Sequence, residues 1–139
     1  MSVTIYHNPR CGTSRNALAI IRAAGIEPQI VEYLDARLSH QALASLFAST
    51  GQPVRDLLRR KDTPYDELGL DDPKWNDEEL IGFVTEHPVL MNRPIVVTDR
   101  GAALCRPSER VAALLPPGSL PATFVKEDGE TVRFQELVQ

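Results

Sequence analysis

The chain opens with a compact apolar run at residues 3–7, Val-Thr-Ile-Tyr-His, which ends at Asn8-Pro9. Proline biases its predecessor away from helix, so this run predicts a short buried strand closed by a turn. Apolar residues then recur at Ala17, Leu18, Ile20, Ile21 and Ala24, the spacing of one helix face. Thr13 or Ser14 is the expected cap and Gly25 the expected stop. Residues 30–34 predict a second strand. Two strands bridged by such a helix predict a right-handed βαβ unit with parallel strands. Ser39 is placed to cap a further helix that turns Ala42, Leu43, Leu46 and Phe47 inward and ends near Gly51.

From about residue 53 to residue 88 the pattern changes to short helical pieces. "PVRDLL" puts proline at a first turn, and "NDEELIGFVTEHP" offers Asn76 as cap with Glu79 in the capping-box position. No Ser/Gly linker bounds this stretch, so it predicts a helical insertion within one domain covering residues 1–139. Residues 95–98, "IVVT", predict a strand, Asp99-Arg100-Gly101 a turn, and residues 102–105 an antiparallel partner. "RPSERVAALL" predicts a helix with Val111, Leu114 and Leu115 on one face, closed by Pro116-Pro117. The tail, residues 116–139, is open between an extension and a small hairpin around Asp128-Gly129. This order predicts an α/β fold, a four-stranded mixed sheet with helices on both faces in a thioredoxin-like layout.

Composition adds limits. Net charge is −4, which argues against a general nucleic-acid binder. No apolar run reaches the roughly 20 residues of a membrane span, and the strand-like start shows no signal peptide, so the expected location is the cytoplasm. The basic residues are 12 arginines against 3 lysines. Arginine's rigid fork suits oxyanions, although a GC-rich genome gives the same bias. His7, His40 and His87 show no metal-ligand spacing, and no metal is expected.

The chemistry centres on "YHNPRCGTSRNAL", where Cys11 sits between the strand and the helix. A cysteine reacts as thiolate, and a helix N-terminus or nearby cations lower its pKa. Backbone N–H groups of Gly12, Thr13 and Ser14, with Arg10, Arg15 and His7, are the candidate helpers. Gly12 permits close approach of a ligand, and the helix start is an anion site. The alternative, a small buried residue, suits a position flanked by Arg, Gly, Thr and Ser poorly. It suits Cys105 well, at the end of the apolar "AALC". A dithiol redox motif needs cysteine at position 14, which is Ser14. A tyrosine-phosphatase-type loop needs arginine at position 17, which is Ala17. What remains is one thiol that needs arginine from elsewhere in the fold and a second thiol from another molecule.

"IYHNPRCGTSRNAL", "VRDLLRR", "NRPIVVT" and "LCRPSE", in this order, resemble the glutathione/glutaredoxin-coupled arsenate reductases of thioredoxin fold. The resemblance runs from Ile5 to about Leu115 and resumes at "FVKEDGE". It implies that Cys11 attacks arsenate, that Arg93 and Arg106 bind and polarise the oxyanion, and that Arg59 handles arsenate and the arsenite adduct at the site mouth. It implies thiolate-tuning or substrate-binding roles for His7, Gly12, Thr13 and Ser14. Glutathione would be a co-substrate and glutaredoxin the partner protein, with no bound cofactor and a monomeric chain. The thioredoxin-like fold also implies a cis peptide bond between Arg93 and Pro94. Two other readings stay open: a regulator of the same fold that binds RNA polymerase, and a glutathione-dependent oxidoreductase of another substrate.

Overall fold

Strand β1 (Thr4–His7) lies inside a four-stranded sheet of order β2-β1-β3-β4, with β2 at Gln29–Glu32, β3 at Ile95–Thr98 and β4 at Gly101–Leu104. β1 pairs parallel with β2 and antiparallel with β3, and β3 pairs antiparallel with β4. The sheet is mixed, as the element order predicts. Helix α1 (Gly12–Ala23) makes the crossover and buries Ala17, Leu18, Ile20 and Ile21. Ile20 and Ile21 are fully buried, each contributing about 1.5–3 kcal/mol. Gly25, at φ 80°, ends the helix in a conformation that other residues adopt only under strain.

The structure is a computed structural model describing residues 1–134. Contacts divide the chain into two units, one of residues 1–32 with the described residues from Arg93 onward, and one of Tyr33–Asn92. In the first, α1 packs on a 3-10 helix (Ser108–Leu114) around a core that includes Ile5, Val96 and Cys105. The sequence pattern predicts an α-helix here. Ser108, Val111 and Leu114 are buried at three-residue spacing, and a 3-10 helix sets such positions on one face. The tail forms the hairpin of the two alternatives, β5 (Thr123–Val125) with β6 (Thr131–Arg133), and Gly129 takes φ 91° in its turn.

The second unit holds α2 (Tyr33–Ala36), α3 (His40–Ser49) and α4 (Asp77–Glu86), with 3-10 turns at Val54–Leu57 and Pro88–Leu90. Ser39 caps α3 by accepting from the Ala42 N–H at 3.1 Å, and Asn76 with Glu79 closes a full capping box on α4. The unit is wider than the 53–88 insertion that the sequence predicts, because α3 packs on α4. Strand β2 also ends earlier than expected. Tyr33 turns out of it, and its hydroxyl donates to the Met91 carbonyl at 3.3 Å.

Candidate active site

The ends of three strands build the site. Tyr6 pairs with Ile95 and Ile95 with Leu104, so the loop after β1, the start of β3 and the end of β4 share one end of the sheet. Cys11 belongs to the first loop, Arg93 to the second and Arg106 to the third. Arg106 Nη1 lies 3.6 Å from Cys11 Sγ and donates to the Arg93 carbonyl at 3.0 Å. The structure thus brings Cys11 to the two arginines that the sequence sets at one end of the β3–β4 hairpin, a meeting that the sequence alone does not give. The Arg93–Pro94 bond is cis, as the resemblance implies, and so is Arg106–Pro107.

The loop before α1 folds on itself. Asn8 Oδ1 accepts from the Arg10 N–H at 2.9 Å, and the Asn8 carbonyl accepts from the Cys11 N–H at 3.0 Å. Asn8 is 6% exposed and supports this loop, where the sequence pattern marks only a strand break. The signal was available in the habit of asparagine side chains to bond backbone two residues on.

Helix α1 begins at Gly12 with Cys11 in the cap position, φ −99° and ψ 121°, so neither Thr13 nor Ser14 caps it. Ser14 is fully buried inside the first turn. Its Oγ accepts from the Asn8 N–H at 3.1 Å and shares a 2.6 Å hydrogen bond with His7 Nδ1. Its backbone N–H is the group that reaches the thiol. His7 therefore bears on Cys11 through Ser14, and burial holds its imidazole below the usual histidine pKa; Glu32 opposes that shift while Arg15 and Arg22 add to it.

Opposing forces set the Cys11 pKa. Burial pushes it up, but hydrogen bonds from the Ser14 amide, Arg93 and Arg106, with the charge of Arg93, bring it down to about 7. About half of such a thiol is thiolate at neutral pH. The same donors suit an oxyanion placed against the sulfur.

Other residues expected near the site have different surroundings. Arg15 binds Glu127, through Nε at 2.8 Å and Nη2 at 3.0 Å, and donates from Nη1 to the Pro9 carbonyl at 2.8 Å. A Cβ at Gly12 would meet only ordinary contacts, Arg15 Nη2 at 3.7 Å and Glu127 Oε2 at 3.8 Å. Thr13 lies in the first turn of α1, half-buried. Arg59 belongs to the Tyr33–Asn92 unit, where its backbone N–H donates to Leu90 O at 2.7 Å and its Nε to Lys61 O at 3.2 Å. Cys105 is fully buried, and burial pushes its thiol up to about 12 against a small opposing effect of Arg110. Among the described residues no cluster of His, Cys, Asp or Glu could hold a metal ion, and no helix is long and apolar enough to cross a membrane.

The chain is similar to known arsenate reductases along most of its length. The chain is 55% identical over 132 residues to a protein of Rhizobium meliloti (strain 1021) named arsenate reductase, covering 95% of this chain and 94% of that one. It is 53% identical over 131 residues to the arsenate reductase of Escherichia coli (strain K12), covering 94% and 92%. The solved structure of an arsenate reductase from Vibrio cholerae superposes with a TM-score of 0.79 at 42% identity, covering 83% of this chain and 98% of that one. The ArsC family profile matches residues 6–114, from the strand that precedes Cys11 to the helix that follows Arg106, and the chain belongs to the ArsC family.

Proposed function

We propose that this chain reduces arsenate to arsenite through a covalent adduct on Cys11. The observation that carries the reading is the 3.6 Å contact between Arg106 Nη1 and Cys11 Sγ, with Arg93 and the Ser14 amide bonded to the same thiol. The thiolate attacks arsenic, a sulfur–arsenic bond forms, and one arsenate oxygen takes up protons and leaves as water. Charge on the remaining oxygens is met by preorganised guanidinium donors. A second thiol, losing its proton, then attacks the Cys11 sulfur, a disulfide forms, and the sulfur–arsenic bond breaks with its electron pair left on arsenic. Arsenic gains the two electrons and departs as arsenite.

Ser14 offers no thiol beside Cys11, and Cys105 is sealed in the core. The second thiol therefore comes from solution. Glutathione, small enough to enter an oxyanion pocket, supplies it in this proposal, and glutaredoxin resolves the mixed disulfide. Arg59 enters on the motif "VRDLLRR" alone, as a further contact to arsenate and the arsenite adduct. The reading takes the chain as a cytoplasmic monomer with no bound cofactor.

The test is NADPH oxidation coupled through glutathione reductase, with arsenate, glutathione and glutaredoxin present together and each omitted in turn. Turnover is expected only with the complete set, and a glutaredoxin keeping only its N-terminal cysteine should still serve. Full turnover with thioredoxin and no glutathione would overturn the external-thiol scheme.

A further inference from the structure

The turn of the β5–β6 hairpin touches both segments that carry the thiol and its arginine. Two adjacent residues reach in different directions. Lys126 Nζ lies 2.8 Å from Glu109 Oε1, in an ion pair whose side chains are only 10% and 16% exposed. Glu109 follows closely on Arg106-Pro107-Ser108. Glu127 takes the Arg15 guanidinium with both carboxylate oxygens, and its own N–H donates to Asn16 Oδ1 at 3.1 Å. Arg15 extends the connection to the Pro9 carbonyl, in the loop that carries Cys11.

Cys11 and Arg106 are remote in sequence, and the 3.6 Å contact between them joins two loops that no covalent link holds in register. Displacements of about 1 Å at a reacting group can cost on the order of 100-fold in rate. The Arg15–Glu127 pair, with side chains 44% and 48% exposed, adds little to stability. Its bidentate geometry nevertheless fixes direction.

We propose that Lys126 and Glu127 are positioning residues, a clasp that holds the Cys11 loop and the Arg106 segment in register so that the arginine meets the thiolate. The proposal deepens the reading of Cys11 as nucleophile and rests on it. The groups bonded to the thiol are Arg93 and Arg106 from the sheet loops and the Ser14 amide, and the Arg15 charge on α1 also acts on it. By charge alone, the Glu127 carboxylate offsets the Arg15 charge that favours the thiolate. Electrostatics without positioning therefore makes Glu127→Gln lower the Cys11 pKa, whereas loss of the clasp raises it. The two effects differ in sign.

The experiment follows iodoacetamide alkylation of Cys11 against pH in the full chain, without arsenate. It compares wild type with Glu127→Gln and with two charge-neutral doubles, Arg15→Gln/Glu127→Gln and Glu109→Gln/Lys126→Met. The midpoint should rise from about 7 toward the ordinary 9.0 in all three. A one-unit rise cuts the thiolate present at pH 7 about fivefold. Lys126→Arg, which keeps the ion pair, should keep the wild-type midpoint. Circular dichroism checks each fold. If the nearly buried Glu109/Lys126 double unfolds, Glu127→Gln decides, because loss of the Arg15 charge by itself also raises the midpoint. An unchanged or lowered midpoint in that variant, or its unfolding, overturns the clasp. The titration needs no arsenate, so its failure and a failure of the proposed reduction are told apart.

Discussion

Cys11 and Cys105 are both buried, 8% and 0% exposed, yet the protein drives their thiols in opposite directions, to about 7 and about 12. Burial pushes both upward. Cys11 sits where backbone leaves regular structure, at the open N-terminus of α1, and meets an amide and two guanidinium groups. Cys105 follows β4 within the core, its Sγ 3.6 Å from the Ala103 carbonyl, an acceptor that cannot favour a thiolate. Reactivity follows from which donors a buried sulfur faces, and not from how deeply it is buried.

The sharpest way to break the contrast is to remove each sulfur. Cys11→Ser is expected to abolish arsenate turnover with an unchanged circular dichroism spectrum, because a hydroxyl is a far poorer nucleophile at neutral pH. Substantial residual activity would take Cys11 out of its role.

Replacing a donor should have the next largest effect. Arg106→Ala or Arg93→Ala should cost about 10²–10³ in rate, the usual loss when one preorganised donor is withdrawn from developing charge. Lysine should rescue poorly, since it lacks the planar fork. Wild-type turnover with lysine at both positions would refute the bidentate reading.

Stability should carry opposite pH signatures for the two thiols. The Cys11 pKa is depressed in the fold relative to its ordinary 9.0, so its contribution is fully present above pH 9 and is lost as pH falls toward 7. The Cys105 pKa is raised, so its contribution is fully present below pH 9 and is lost as pH climbs toward 12. Urea unfolding at pH 7, 8, 9 and 10.5 should show Cys11→Ser flattening the first trend and Cys105→Ala the second. Equal slopes in all three proteins would mean that the environments do not differ in this way.

The smallest effect is expected from Cys105→Ala at neutral pH. Removing one buried sulfur should cost roughly 1 kcal/mol and a few degrees in Tm, with most turnover retained. A loss of activity matching that of Cys11→Ser would give Cys105 a chemical role that its burial denies.

What the residues dictate by themselves is local. The α1 face, the Ser39 cap, the Asn76–Glu79 capping box and the turn between β3 and β4 all depend on neighbours within a few positions, so each is legible from spacing. The parallel pairing of β1 with β2 follows from one crossover. Of the site, the sequence marks Cys11 as a loop thiol at a helix start and sets Arg93 and Arg106 at one end of a hairpin. Long-range packing decided the rest. It made Ser108–Leu114 a 3-10 helix and ended β2 at Glu32. It also joined Glu127 to Arg15, a contact spanning 112 positions that no local pattern encodes. A thiol's pKa is fixed by the few groups within hydrogen-bond reach, and for Cys11 two of them come from the far end of the chain.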